Sequence, residues 1–151
     1  MFPNVFGKNL ELEHFNIPSD LEGDLNLVII PFKQWHQSLV NQWGFFLNTL
    51  ESEFFNFRYY EIPTLSYGYK LMRFMIDGGM RAGIPDKSVR KRTITVYLNK
   101  NEFRKSLDIP SENTIYLFLI TKKGDILWRS EGEYTPIKAE ELKNNILRYK
   151  T

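Results

Sequence analysis

Asn26-Leu-Val-Ile-Ile-Pro-Phe32 decides the fold, together with the run from Gln34 to Phe54 that follows it. The residues Leu27 to Ile30 have no polar interruption, which is typical of a strand buried on both faces of its sheet. After them, large apolar side chains recur every three or four residues, as on one face of a helix. These are Trp35, Leu39, Trp43, Phe46, Leu47, Leu50 and Phe54. The sequence therefore predicts a central strand running directly into a long helix, a junction where α/β domains commonly place their chemistry.

The segments on either side extend this unit into a full α/β domain. Phe57 to Ile62 predicts a second strand, parallel to the first because such crossover connections return in the same direction. Upstream, Leu10 to Phe15 alternates and predicts a short edge strand. Downstream, Thr93 to Leu98 predicts a strand, and Asn99 caps a short helix that ends near Leu107.

The C-terminal part predicts a hairpin and a final helix. Thr114 to Thr121 and Ile126 to Ser130 are the two strands of the hairpin, joined by a turn in which Gly124 supplies a positive φ. Thr135 fits the N-cap of the last helix, and Pro136 fits its first turn.

An insert at about residues 64–92 separates the two halves. Tyr67 to Met80 predicts a helix, and Arg81 to Arg92 predicts a polar, basic loop. A βαβ half followed by a ββα half is the layout of the thioredoxin fold, so we expect one α/β domain over residues 1–151. Its features are a central mixed sheet flanked by helices, an extra N-terminal strand, and the inserted helix and basic loop.

The composition excludes several classes of chemistry. The 151 residues include no cysteine, which rules out disulfides, thiol catalysis, Cys-ligated zinc and iron–sulfur clusters. Two histidines are too few for a His-rich metal site, so we expect neither a metal nor a cofactor. The net charge of +2 gives no reason to expect nucleic-acid binding. The N-terminus shows no leader pattern, and the apolar runs are far shorter than a membrane span.

The position where thioredoxin-like redox proteins carry a reactive cysteine holds other residues here. Residues 33–38 read Lys-Gln-Trp-His-Gln-Ser, and a serine hydroxyl is too weakly acidic to replace a thiolate in disulfide exchange. A cis-proline immediately before the hairpin is the second element of such proteins, but Asn113-Thr114 occupies that place and Pro110 comes too early. The sequence therefore excludes oxidoreductase and peroxidase activity.

Stretches covering most of the chain resemble a family of mitochondrial ATP synthase assembly factors that is distantly related to thioredoxin. They are Phe2-Pro-Asn-Val-Phe-Gly-Lys-Asn-Leu10, Leu27-Val-Ile-Ile-Pro-Phe32, Gln34-Trp35, Arg81, Pro85, Ile115-Tyr-Leu-Phe-Leu-Ile120, Gly124-Asp-Ile-Leu-Trp-Arg129 and Gly132. The run from Ile115 to Arg129 is the most specific of them. The resemblance implies a chaperone without enzymatic activity, whose protein client belongs to the membrane sector of the ATP synthase. It implies a mitochondrial location in a eukaryote, and otherwise we expect a cytoplasmic protein that is free or peripheral to a membrane.

The junction after the central strand is the first candidate site. Trp35, His36 and Asn113 are candidates for a groove there, which would hold an extended peptide of a partner. The simpler interpretation of Trp35 is that it belongs to the core. His36 lies in the first turn of the helix, where polar residues are usually solvated.

An enzyme is the alternative from a different class. His36 would then act as a general base beside Ser38, with Lys33 nearby, in a hydrolase-like site. That interpretation predicts a deep pocket at the junction with converging polar groups, whereas a binding role predicts a shallow junction filled by aromatic rings.

A basic surface is the second candidate site. Residues 67–92 hold seven basic residues against two acidic ones, a local net charge of +5 that leaves −3 for the remainder. The candidates are Lys70, Arg73, Arg81, Lys87, Arg90, Lys91 and Arg92. A basic amphipathic helix beside a polybasic loop fits an anionic membrane surface or an acidic partner segment, and the alternative is an ordinary solvated helix.

Overall fold

The computed structural model describes residues 1–66 and 86–149. The strands are β1 (Val5–Asn9), β2 (His14–Ile17), β3 (Leu25–Ile30), β4 (Phe57–Glu61), β5 (Thr64–Ser66), β6 (Ile94–Leu98), β7 (Tyr116–Thr121) and β8 (Ile126–Glu131). The α-helices are α1 (Gln37–Glu53), α2 (Lys87–Arg92), α3 (Lys100–Ser106) and α4 (Pro136–Arg148), and a single 3-10 turn, Gln34–His36, precedes α1.

The central unit matches the prediction. All six residues of β3 are buried, and β3 pairs with β4 in parallel and with β7 antiparallel. The helix α1 follows the 3-10 turn and ends at Glu53, and the N–H of the next residue, Phe54, donates a hydrogen bond to the Leu50 carbonyl. The central strand and long helix are therefore confirmed.

The strands form two four-stranded sheets, in the orders β4-β3-β7-β8 and β2-β1-β6-β5. Pro63 marks the boundary between them, because β4 on its N-terminal side pairs with β3 whereas β5 on its C-terminal side pairs with β6. Proline has no N–H to donate to a neighbouring strand, which favours an interruption at this point. The two sheets keep contact through a parallel bridge between Glu61 and Thr93. Directly after Pro63 the chain forms the short strand Thr64–Ser66, at the start of the predicted insert.

Two buried clusters lie on opposite faces of β3. Alternate side chains of a strand point to opposite sides, so Leu27 and Ile29 pack under α1 and α4. Val28 and Ile30 pack on the other face, in a cluster that includes Phe2 and Phe103. Both faces of the central strand are thus covered, as its uninterrupted apolar sequence predicts.

The predicted edge strand at Leu10 to Phe15 is only partly correct, because His14 and Phe15 begin the edge strand β2 but Leu10 to Glu13 are not in a strand. The chain forms a hairpin instead, in which β1 and β2 flank a turn where Leu12 has φ 64°. The cause is Asn9, whose side-chain oxygen accepts hydrogen bonds from the N–H groups of Glu11 (3.0 Å) and Glu13 (2.9 Å). Asn is favoured in such turns because its short side chain binds nearby backbone groups.

The end of the insert is also different from the prediction. Residues 86–92 are not a loop, because Asp86 caps the short helix α2 by accepting a hydrogen bond from the Ser88 N–H at 2.8 Å. The predicted helix at Tyr67 to Met80 and the first part of the predicted loop lie outside the described residues.

The C-terminal predictions are confirmed. Asn99 caps α3 through the Glu102 N–H at 3.1 Å, and Thr135 caps α4 through the Lys138 N–H at 3.2 Å. β7 and β8 form the hairpin, with Gly124 at φ 96° in its turn. The mixed α/β, thioredoxin-like layout predicted from the order of the elements is therefore the one observed.

Candidate functional site

His36 is buried at the end of β3, which corrects the expectation that it is solvated. Its Nδ1 accepts hydrogen bonds from the N–H groups of Phe32 (3.0 Å) and Lys33 (3.2 Å). Burial lowers the pKa of His36 from its ordinary value of 6.5, and the positive charge of Lys33 lowers it further. The neutral ring therefore fixes the backbone where the strand ends. The sequence indicates that His36 lies in the first turn of a helix. It does not show that the imidazole ring folds back onto the backbone of Phe32 and Lys33.

The loop before β7 also lies next to His36. The main chain of Asn113 raises the pKa of His36, although His36 Nε2 itself is buried without a hydrogen-bond partner among the described residues. The Asn113 side chain is exposed. The structure therefore brings together the ring of His36 and the backbone of Asn113, which are two of the predicted groove residues.

Trp35 lies on the surface of the junction, so its assignment to the core is wrong. It is 57% exposed, and its ring meets the His36 ring edge-on, with 4.4 Å between centroids. The other two tryptophans are inside or partly inside: Trp43 is fully buried and donates to the Gly132 carbonyl at 3.1 Å, and Trp128 is half-buried. An aromatic ring held in place by a buried neighbour is a suitable contact for a partner.

The side chains do not form a nucleophile–base pair. Ser38 donates its hydroxyl to the Trp35 carbonyl at 3.1 Å, and the Nδ1 of His36 is occupied by backbone N–H groups. Such a pair requires a hydrogen bond between nucleophile and base. The arrangement therefore gives the hydrolase-like alternative no support.

A charged cluster adjoins the junction and was not predicted. Glu112 accepts hydrogen bonds from Lys100 (2.7 Å) and Arg104 (3.4 Å), and its negative charge raises the pKa of His36. Burial alone would raise the pKa of Glu112, but the two cations lower it below its ordinary range. The capping residue Asn99 was the signal for α3, yet nothing in the sequence showed that this helix faces Glu112.

Glu61 is a second buried carboxyl that the sequence did not reveal. It lies at the end of β4 and is 8% exposed, and its carboxyl accepts a hydrogen bond from the Gln37 side-chain amide at 3.4 Å. Burial raises the pKa of Glu61, while Gln37 and the charge of Arg92 lower it in part. The group therefore lies under the first turn of α1, beside the junction.

The predicted basic surface divides into two kinds of residue. Arg90 donates to Glu11 at 3.0 Å, and both terminal nitrogens of Arg92 donate to Glu51 at 3.0 Å. The Arg92 guanidinium also stacks over the Tyr59 ring, 4.0 Å from its centroid. These two arginines hold α2 against the domain.

Only some of the described basic residues of that surface therefore have side chains that are exposed to solvent. Lys87 and Lys91 are exposed on α2. Lys70, Arg73 and Arg81 lie outside the described residues.

Two kinds of feature are absent from the described ranges, 1–66 and 86–149. No group of three or more His, Asp or Glu side chains there is placed to hold a metal ion. No helix of those ranges is both long and apolar enough to cross a bilayer.

Structural comparison places the chain in the thioredoxin-like class. BsSco, a member of the Sco family of cytochrome c oxidase assembly proteins, superposes with a TM-score of 0.64 at 14% identity, covering 98% of this chain and 94% of that one. Yeast Sco1 with copper bound gives 0.61 at 10% identity, covering 99% and 94%. StoA from Bacillus subtilis gives 0.57 at 18% identity, covering 97% and 98%. At these identities the likeness concerns the fold alone.

The sequence identifies the family within that class. Residues 1–147 match the ATP10 protein family, so the chain belongs to it. No curated protein sequence matches the chain significantly. The resemblance to ATP synthase assembly factors is thus confirmed, and a role in ATP synthase assembly, generally without enzymatic activity, goes with that family.

Proposed function

We propose that this protein is a non-catalytic assembly chaperone that binds a segment of an ATP synthase membrane-sector subunit at the junction between β3 and α1. The observation that carries the proposal is the exposed Trp35 ring, fixed against the buried His36. It lies where a redox relative would hold its cysteine. In a eukaryote this role places the protein in the mitochondrion.

The physical basis is preorganisation. The binding energy of protein interfaces is concentrated in a few aromatic and arginine side chains, and anchors that are already ordered lose little entropy on binding. His36 holds both the backbone before Trp35 and the edge of its ring. We place the other side of the client site at the Asn113 loop, whose backbone lies beside His36.

The test compares Trp35→Ala with a matched control, Phe45→Ala. Phe45 is 87% exposed on α1, ten positions along the chain from Trp35 and therefore about 15 Å away along a helix. In cells that carry only the variant, we expect Trp35→Ala to lower the amount of assembled ATP synthase while Phe45→Ala leaves it unchanged. Normal assembly with Trp35→Ala, at equal protein level, would contradict the proposed site.

Contact with an anionic membrane surface is a second proposal, favoured by the two exposed lysines of α2. Lys87 and Lys91 are exposed, whereas Arg90 and Arg92 form ion pairs within the domain. We expect Lys87→Gln with Lys91→Gln to weaken binding to vesicles that contain anionic lipid. Equal binding by this variant and the wild type would refute the membrane contact.

A further inference from the structure

A cavity of about 530 Å³ lies between the α3–β7 loop, the edge strand β8 and the start of α4. Its wall includes Asp108, Pro110, Tyr116, Arg129, Glu131 and Lys138. The Tyr116 ring also packs edge-on against the Phe32 ring, with centroids 6.3 Å apart. Phe32 lies two residues after the end of β3. The cavity therefore adjoins the proposed client site through a single ring.

Tyr116 gives the cavity a hydrogen-bond donor that has no acceptor. The residue is 3% exposed, and its hydroxyl has no partner within the described part of the chain. An unpaired hydroxyl in a buried place is unfavourable, because the group has lost its hydrogen bonds to water. A ligand that brings an acceptor would remove that cost.

Arg129 gives the cavity a positive charge without a carboxylate partner. Its guanidinium lies over the Phe118 ring at 4.8 Å, and its hydrogen bond to the Asp108 carbonyl is long, at 3.4 Å. No ion pair joins Arg129 to a carboxylate of residues 1–66 or 86–149. The planar guanidinium is well suited to bind a carboxylate through two parallel hydrogen bonds.

Beside the cavity lies β8, which is an edge strand of its sheet among the described residues. The Gly132 N–H is donated to the Ile115 carbonyl at 3.0 Å, and hydrogen-bonded pairs alternate along an antiparallel ladder. The main-chain groups of Arg129 and Glu131 therefore point away from β7. Lys138 confirms this direction, because its Nζ donates to the Glu131 carbonyl at 2.6 Å. The edge at Arg129 can pair with an extended peptide.

We propose that the cavity binds a carboxylate of an extended peptide segment, with the Tyr116 hydroxyl and the Arg129 guanidinium as donors and the β8 edge pairing with the segment's backbone. The wall also holds the acidic residues Asp108 and Glu131 beside the cationic Arg129 and Lys138. The carboxylate is therefore recognised by the hydrogen-bond donors of Tyr116 and Arg129 and not by a net positive charge. The inference rests on the proposed function, since the client segment is the peptide in question.

The experiment is an amide NMR titration of the full chain with three probes. They are N-acetyl-Ala-Ala-Ala with a free carboxylate, the same peptide amidated, and amidated N-acetyl-Ala-Glu-Ala. We expect the first or third probe, but not the second, to shift the amides of Arg129 and Gly132. A response to the first alone identifies a C-terminal carboxylate, and a response to the third identifies a side-chain carboxylate.

Two variants and a control locate the donors. Arg129→Gln should lower the affinity for the probe that responds about tenfold, which is the effect of losing one charged hydrogen-bonding group. Tyr116→Phe should weaken it several-fold and, without ligand, should raise the midpoint of thermal unfolding because it removes an unpaired buried hydroxyl. Arg148→Gln, which removes an exposed charge near the end of α4, should bind like the wild type.

Three results would overturn the inference. They are no shift with any probe, equal shifts with the amidated and free peptides, or equal affinity of Arg129→Gln and Arg148→Gln. None of these bears on the dependence of ATP synthase assembly on Trp35. Failure of this inference is therefore distinguishable from failure of the proposed function.

Discussion

Replacing His36 with leucine removes the Nδ1 acceptor that holds the backbone after β3 and puts an apolar side chain of similar size in its place. The substitution leaves the N–H groups of Phe32 and Lys33 without the Nδ1 partner that they share at 3.0 and 3.2 Å. A buried donor left unpaired costs about 1–3 kcal/mol, and the partly exposed Lys33 N–H costs less because water reaches it. We expect His36→Leu to lower the free energy of unfolding by about 2–4 kcal/mol, summed over the two donors.

The matched variant is His36→Asn. The Asn side-chain oxygen lies at about the same distance from the backbone as His Nδ1, so it can accept the same N–H groups. We expect His36→Asn to be more stable than His36→Leu by about 1 kcal/mol, even though it fills less space. Chemical denaturation followed by circular dichroism measures both. The reasoning fails if His36→Leu is as stable as the wild type or as His36→Asn.

The same residue predicts a pH dependence. The folded pKa of His36 lies below the ordinary 6.5 of the unfolded chain, so between these two values the unfolded state binds more protons. Stability from this group is complete above about pH 6.5 and decreases as the pH falls towards the folded pKa. His36→Asn should lack that decrease, and denaturation curves between pH 5 and pH 8 compare the two proteins.

Three further substitutions test the surroundings of the site. We expect Glu61→Gln to be more stable than the wild type at neutral pH and equally stable near pH 4. The pKa of Glu61 is raised in the folded state, so the wild type loses stability as the pH rises above 4.5. Urea denaturation of both proteins across this pH range tests the expectation. For Arg92→Gln with Glu51→Gln, a double-mutant cycle should give a coupling of about 1 kcal/mol, since the pair is partly buried, and a coupling of zero would contradict its structural role. Gly7→Ala should cost about 1–3 kcal/mol in thermal unfolding, because the added Cβ lies 2.7 Å from Ile94 Cγ2.

The sequence was sufficient for the elements whose signals are local. β3 is recognisable because four consecutive apolar residues need cover on both faces, and α1 because its apolar positions repeat at helical spacing. The caps at Asn99 and Thr135 also act within four residues of their own position. Such features depend on neighbours along the chain, so a single sequence contains them.

The features that were missed depend on contacts between distant residues. Arg90 and Glu11 are 79 positions apart, and Arg92 and Glu51 are 41 apart, so a run of basic residues appeared to be free charge. The turn after β1 was missed because alternation in the residues that follow Asn9 imitates a strand. His36 likewise lies beside the backbone of Asn113, a neighbour 77 positions further along the chain, which no local pattern around His36 indicates.

The most direct test of a client-binding junction is site-specific photo-crosslinking in cells. A photoreactive phenylalanine is placed at position 35 in one protein and at position 45 in a control, and the crosslinked partners are identified by mass spectrometry. The account predicts that position 35 crosslinks to a membrane-sector subunit of the ATP synthase and that position 45 does not. Crosslinking of that subunit from position 45 alone, or from neither position, would contradict it.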